Sequence, residues 1–384
     1  MISPPAARTP LRPHLPLRPP PDGRSLLSAS RRISGGADRG TAQRGTADQP
    51  GACDGVLEAV GRTPSVRLRR VTCGRDLRVF AKLECCNPGG SMKDRPAAAM
   101  IAAALGDGTL TPGMTVVESS SGNMAVGLAQ ACAYHGVKFL CIADARTQAA
   151  NVDLVRAYGG DVEIIEHPDP ATGDFLTARL ARIRQIVAAR DDVFWPNQYA
   201  NPENPRSHAA GTVRQLLAEC GGLDVLLVAT STTGTLNGAI ACCRRHSPRT
   251  RVVAVDAAGS VLFGGSRGPR AISGLGAGLQ PPLADAAAPH DVLRVDDADC
   301  VVGCRTLVRV EGILAGGSSG GLLTALSRVA PSMETGTRVG LILPDHGSRY
   351  LQTVYRDEWV EQTCGLSEAE VSEAVTRLTA EVSR

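Results

Sequence analysis

Lysine is nearly missing from this chain. Among its 41 Lys and Arg residues only Lys82, Lys93 and Lys138 are lysines, so arginine carries the ordinary surface charge. Other absences bound the function. A formal charge of +3 over 384 residues lacks the basic excess of a chain whose main partner is nucleic acid. No apolar run approaches the roughly 20 residues that a membrane-spanning helix requires. The N-terminal region has no long apolar stretch of the secretory kind. The cysteines form adjacent pairs, Cys85-Cys86 and Cys242-Cys243, and one loose pair, Cys300 and Cys304, without a repeated C-x-x-C or histidines at metal-ligand spacing. The expectation is a cytoplasmic protein with reduced thiols, no metal, no membrane and no nucleic-acid partner.

Residues 1 to 50 are rich in Pro, Arg, Gly and Ser and poor in apolar periodicity, and read as a disordered tail. An Arg-rich, acid-poor leader suits an organellar transit peptide, but the prolines of "PLRPHLPLRPPPDGR" oppose the amphipathic helix such leaders form. A flexible tail or an over-extended start is expected instead. From Gly55 onward, short apolar runs alternate with Ala- and Leu-rich helical stretches. "MTVVES", "VKFLCIAD", "DVEIIE", "DVLLVAT", "RVVAVDA" and "RVGLILPD" read as strands, and "MAVGLAQACAYHG" as a helix. Strands apolar on both faces with helices between them predict α/β architecture with parallel sheets covered on both sides. A polar break at "WPNQYANPENPRSH" divides the pattern into two doubly wound domains with a cleft between them.

Four loops at strand ends or helix starts are the places where such a sheet holds ligands. In "NPGGSMKDRPA" a lysine follows two glycines, with Pro96 placed for the first turn of a helix. Arginine does not give up its proton in a protein, whereas a lysine amine can be deprotonated and become a nucleophile. Lys93 is therefore the candidate for chemistry. "SSSGNM", Ser119 to Met124, gathers hydroxyls and backbone N–H groups at a helix N-terminus, more than one N-cap needs, and suits a carboxylate or phosphate. "STTGT", comprising Ser231, Thr232, Thr233, Gly234 and Thr235, precedes a helix expected to begin near Leu236 and reads as a phosphate cradle. It lacks the lysine of a P-loop and the glycine spacing of a dinucleotide fingerprint. "GGSSGG", Gly316 to Gly321, opens another helix, with a plain flexible turn as the bland reading. A nucleophilic lysine, one phosphate site, one carboxylate site and no metal are together the parts of a pyridoxal phosphate enzyme acting on an amino acid.

From about Gly55 to Trp359 the chain resembles the fold-type II pyridoxal phosphate enzymes of the cysteine synthase and cystathionine β-synthase family. The resemblance rests on "GRTPSVRL", "AKLE", "NPGGSMKDR", "SSGN", "NQYANPENP", "EGILAGGSSG" and "LPDHGSRY", in that order. It implies that Lys93 carries the cofactor, that Asn123 lies beside the ring hydroxyl, that Ser231 to Thr235 hold the phosphate and that Ser318 faces the pyridine nitrogen. It further implies that Ser120, Ser121 and Asn123 grip the substrate carboxylate, with Gln198 and Tyr199 on the opposite side. The implied domains are a larger cofactor-binding one from residues 51–92 and 203–384 and a smaller mobile one from 93–202, in a homodimer.

Within that family, "SSGNM", "STTGT", "NQYANPEN" and Met92 depart from the cysteine synthases. They resemble the branch of N-(2-amino-2-carboxyethyl)-L-glutamate synthases. That branch joins O-phospho-L-serine to glutamate with release of phosphate, on the way to 2,3-diaminopropionate for siderophores or peptide antibiotics. Ser231 and Tyr199 occupy positions it uses for substrate choice. The alternatives are an O-acetylserine or O-phosphoserine sulfhydrylase and, in a different class, a non-catalytic sensor, against which the intact Lys93, Asn123 and Ser318 speak. Among the remaining residues, Lys82 is expected to pair with an acid and Cys85 and Cys86 to be small packing residues. His208 and His346 are expected at the surface or in caps, and Arg179 on a solvated helix face.

Overall fold

The six apolar runs become six of the ten strands in a computed structural model that describes residues 51–383. The tail expected over residues 1 to 50 lies outside the described residues. In chain order the strands are β1 (Ser65–Arg67), β2 (Arg78–Leu83), β3 (Thr115–Ser119), β4 (Lys138–Asp144), β5 (Asp161–Ile165), β6 (Val193–Phe194), β7 (Val225–Ala229), β8 (Arg251–Ala257), β9 (Asp291–Val295) and β10 (Arg338–Leu343). One sheet has the order β1-β2-β10-β7-β8-β9 and the other β5-β4-β3-β6. All strand pairs are parallel except β1 with β2. The α/β class read from the sequence is the class observed. All five residues of β3 are buried, as a parallel strand covered on both faces requires.

The strands outside those six runs are β1, β2, β6 and β9, of which only β2 is expected, from the strand-like run that holds Lys82. Three have weak local signals: β1 is a three-residue edge strand, β6 has two residues, and β9 mixes exposed and half-buried positions. β2 enters the larger sheet through a partner far along the chain, pairing from Arg78 with Arg338 to Leu83 with Leu343. The whole four-stranded sheet is thus inserted in sequence between β2 and β7.

Each sheet has its own core. Val79, Leu227, Val255 and Leu341 are buried in the core of the larger one, and Met100, Ile101, Leu128 and Phe139 in that of the smaller. Each such side chain contributes about 1.5–3 kcal/mol on leaving water. The helix Asp94–Asp107 carries Pro96 in its first turn, where a missing N–H costs nothing, and stops at Gly108 in the left-handed region (φ 78°). Among the described residues no helix is long and apolar enough to cross a membrane. The carboxyl ends of β3, β7 and β10 lead into the loops at residues 120–122, 230–233 and 344–346, which meet at one cleft.

Candidate active site

The floor of the cleft is built from the segment between β2 and the helix Asp94–Asp107. Arg95 makes a bidentate pair with Glu84, 2.7 Å from Nε to Oε2 and 2.7 Å from Nη2 to Oε1, and also donates to Thr63 Oγ1 and the Gly61 carbonyl. Both members of the pair are buried. Met92 N–H donates to the Pro344 carbonyl at 2.8 Å, tying this segment to the end of β10. Lys93 is therefore held between two anchored neighbours and forms the N-cap position of the helix. Lys93 is half-buried and lines the cleft, and burial lowers its amine's pKa from 10.5 to about 8 against an opposing pull from the Asp345 carboxylate. A substantial fraction of this amine is neutral near pH 8, as a nucleophile requires.

The serine loop after β3 divides its work. Ser120 Oγ accepts from the N–H groups of Gly122 and Ala125, at 3.2 and 3.1 Å, and so supplies the local cap. Ser121 is left to face the cleft. Asn123 donates from its side-chain amide to Asp345 Oδ2 at 2.7 Å, and its Oδ1 accepts from Arg349, which also reaches the Gly89 carbonyl. Gln198 is buried and donates from Nε2 to the Ser119 carbonyl at 3.0 Å. Beneath it lies Glu118, which accepts from Gln198 N–H, Trp195 Nε1 and Ser119 N–H; burial raises its pKa to about 7.

The loop after β7 enters a helix that begins at Gly234, two residues earlier than expected. A Cβ on Gly234 would stand 2.1 Å from Asn204 Oδ1, so glycine is required here by close approach. Thr233 precedes it at φ 62°, a left-handed conformation that non-glycine residues rarely adopt and that is typical of a constrained functional turn. The N-cap residue Thr233 supplies no side-chain cap to this 13-residue helix, and Gly234 N–H makes only a long 3.4 Å contact with Thr232 Oγ1, so the helix start keeps donor capacity for a bound anion. The "GGSSGG" segment is not a flexible turn. A Cβ on Gly320 would meet the Cys300 carbonyl at 2.0 Å, so the helix Gly317–Val329 packs closely against the helix Asp297–Glu311 and presents Ser318 to the cleft.

Lys93, Ser120, Ser121, Asn123, Gln198, Tyr199, Ser231, Thr232, Thr233, Thr235 and Ser318 all line one cleft, while Gly234 starts the helix behind it. The cleft also holds residues the sequence reading missed or placed elsewhere. Arg179 is not on a solvated face: it is 6% exposed, lines the cleft and stands 3.1 Å from Asp144. Its Nε is the atom within ion-pair reach of that carboxylate, and neither Nε nor Nη1 makes a hydrogen bond. Asp345, Ser273 and Gly274 complete the wall. Asp345 and Arg349 were legible only as part of the "LPDHGSRY" stretch. His208 is buried in a π-helical turn, His208–Val213, bonded to Thr212 Oγ1 at 3.1 Å, with its pKa pushed well below its ordinary value by burial. His346 caps Ser348 N–H, as expected. Lys82 pairs with Glu219 at 3.0 Å, also as expected, whereas Cys86 is exposed and does not pack.

The donor set fits pyridoxal phosphate. An aldehyde finds the amine of Lys93, a phosphate finds an uncapped helix start with threonine hydroxyls beside it, and a ring finds neutral Ser318. Among the described residues lining the cleft, Asp345 is the only acid, and no group of His, Cys, Asp and Glu side chains is arranged to hold a metal ion.

Comparisons with known proteins agree. The family model described as "Pyridoxal-phosphate dependent enzyme" matches residues 56–345. The chain is 42% identical over 306 residues to N-(2-amino-2-carboxyethyl)-L-glutamate synthase of Ralstonia nicotianae, covering 79% of this chain and 90% of that one. It is 40% identical over 312 residues to the protein of the same name in Cupriavidus metallidurans, covering 80% and 91%. Among solved structures, O-ureido-L-serine synthase is 32% identical with a TM-score of 0.72, covering 79% of this chain and 95% of that one. The O-acetylserine dependent cystathionine β-synthase of Helicobacter pylori is 26% identical with a TM-score of 0.74, covering 80% and 100%. The chain therefore belongs to the pyridoxal-phosphate dependent enzyme family, and its cofactor is pyridoxal phosphate.

Proposed function

We propose that this enzyme is a β-replacement synthase that joins O-phospho-L-serine to L-glutamate, forming N-(2-amino-2-carboxyethyl)-L-glutamate and phosphate. The observation that carries the choice of donor is Arg179, a buried guanidinium beside Asp144 whose Nε and Nη1 make no hydrogen bond, and which shares the cleft wall with Tyr199 and Ser231. A phosphoryl group brings roughly −1.5 to −2 charges near pH 7, whereas an acetyl group is neutral and needs no cation. The choice of glutamate is supported by the relatives of that name, matched across about nine-tenths of their length.

Pyridoxal phosphate, when bound, withdraws electrons from the α-carbon of an attached amino acid and so makes its proton acidic. The residues of this chain do the rest. The first N–H groups of the helix that begins at Gly234, with Thr232 and Thr235, hold the cofactor's phosphate. Ser121 and the neighbouring backbone receive the substrate carboxylate. Lys93 holds the cofactor, gives way to the substrate amine, takes the proton from Cα and later returns it. The Cβ–O bond breaks and its electrons leave with phosphate, received by Arg179, Tyr199 and Ser231. The amine of glutamate then forms the new Cβ–N bond and loses a proton to solvent. Because phosphate leaves before the acceptor reacts, ping-pong kinetics are expected.

The same reading carries a cytoplasmic homodimer, a mobile smaller domain from 93–202 facing a larger one from 51–92 and 203–384, and a product destined for 2,3-diaminopropionate in a siderophore or peptide antibiotic. Its support is the family resemblance. The deciding experiment offers O-phosphoserine and O-acetylserine, each with glutamate and with sulfide, to the purified enzyme. The phosphoserine and glutamate pair is expected to give the highest kcat/KM; a preference for sulfide with either donor makes the protein a sulfhydrylase.

A further inference from the structure

Beyond the lysine-bearing cleft lies a second chamber of about 510 Å³, within the roughly 300–1,000 Å³ typical of small-molecule sites. The two share Ser121, Arg179, Tyr199, Ser231, Ser273 and Gly274, so they communicate through a polar neck. The charges of the outer chamber do not cancel. Asp144 is engaged with Arg179 at 3.1 Å. Asp174 caps the helix Phe175–Ala189, accepting from Leu176 and Thr177 N–H, and pairs with Arg267 at 2.7 Å. Both acids of the chamber are thus taken. Among the described residues, Arg146 and Arg270 have no carboxylate within ion-pair distance.

The two arginines approach from different sides. Arg146 follows β4 of the four-stranded sheet and lies over the Phe175 ring at 4.5 Å, which supports the flat guanidinium while leaving its edge N–H groups open. Arg270 belongs to the long connection between β8 and β9, and its Nε is buried without a hydrogen-bond partner. A buried guanidinium N–H without an acceptor is costly unless a ligand supplies one.

We propose that this chamber is the acceptor subsite, in which Arg270 and Arg146 bind the carboxylates of a dicarboxylic amino acid and hold its amine toward the neck. The proposal rests on the β-replacement reading above. Two carboxylates match two cations without an ion-pair partner, Arg270 having Asp174, Asp256 and Asp297 only at longer range, whereas a sulfide nucleophile would use neither. The prior engagement of Asp144 and Asp174 also matters for reactivity. Neither carboxylate is left to hold the acceptor nitrogen as an ammonium ion, so the amine can present a lone pair.

The test uses the loaded enzyme and two variants, Arg270→Gln and Arg146→Gln, with Arg270→Lys as a charge-preserving control. Loss of a hydrogen-bonded ion contact predicts a rise of roughly tenfold or more in KM for glutamate. The preference of the wild type for glutamate over glutamine should shrink in the Gln variants, and Arg270→Lys should recover part of the loss. Phosphate released from phosphoserine in the first turnover, before any acceptor is added, should change far less than the glutamate KM. An unchanged glutamate KM in both Gln variants overturns the subsite, as does an equal loss in the acceptor-free first turnover. A wild type that releases no phosphate from phosphoserine fails the underlying functional reading instead, and direct calorimetric binding of glutamate to wild type and Arg270→Gln then decides the chamber separately: equal affinities sink it.

Discussion

Asn123 and Asp345, 222 positions apart, are joined by a side-chain hydrogen bond of 2.7 Å. One follows β3 and the other follows β10, so the bond links the carboxyl ends of strands from the two sheets. Asp345 also accepts from the Tyr350 hydroxyl, and burial raises its own pKa above the usual carboxylate range. It thereby orients Asn123 and places a carboxylate in the field of the Lys93 amine.

Removing that carboxylate should make Lys93 easier to deprotonate. Burial lowers the lysine pKa to about 8, and Asp345 opposes the shift. Only the neutral amine attacks an aldehyde, so cofactor capture by cofactor-free wild type should accelerate as pH rises through about 8. In Asp345→Asn the midpoint should move to lower pH. Rapid mixing with pyridoxal phosphate across a pH series measures this, and an unmoved midpoint would show that Asp345 does not act on Lys93. Lys93→Ala should capture none covalently.

Ser318 tests the electronic side of the cleft. Its neutral hydroxyl would not keep a pyridine nitrogen cationic, which favours prompt loss of a β-substituent over prolonged storage of charge. Ser318→Asp should slow phosphate release from phosphoserine by roughly tenfold or more, the effect of about 1.4 kcal/mol on the barrier. Equal release rates in wild type and a variant shown to bind the cofactor would mean that Ser318 does not face the ring nitrogen.

Donor choice should depend on Tyr199 and Ser231. Hydrogen bonds to a charged group are worth roughly 1.5–3 kcal/mol, so Tyr199→Phe or Ser231→Gly should lower kcat/KM for phosphoserine roughly 10- to 150-fold while sparing O-acetylserine. The ratio between donors is the measurement. Cofactor occupancy of Ser231→Gly is checked first, since this residue adjoins the phosphate loop. A donor ratio untouched in both variants removes these hydroxyls from substrate recognition.

Stability should be sensitive to Arg95, because its partner Glu84 is fully buried. Arg95→Met leaves that carboxylate without its cation, and breaking a buried pair in this way costs about 3–5 kcal/mol. The denaturation midpoint in urea should fall accordingly. A shift below about 1 kcal/mol would mean that Thr63 and Asn87, which also bond Glu84, satisfy it alone.

The loops that line the cleft were legible in the sequence, as were six of the ten strands from their apolar runs. Lys93 stood out because lysine is scarce, and the hydroxyl loops stood out because they follow apolar runs; both are local signals, carried by residues a few positions apart. β8 was legible to the residue because five of its seven positions, Arg251–Ala257, are apolar, with only Arg251 and Asp256 polar. The pairing of β2 was not legible in the sequence, because its partner is β10, and parallel pairing leaves no mark in the intervening chain. The same holds for Arg179. Its spacing, four residues before Ile183 and seven before Ile186, puts it on the buried stripe of its helix, and only its charge argued for solvent; Asp144 at the end of β4 supplies the partner that lets the guanidinium stay buried at the wall of the cleft. The pull of Asp345 on Lys93 belongs to the same class, since electrostatic coupling depends on distance through space and the chain records only distance along itself.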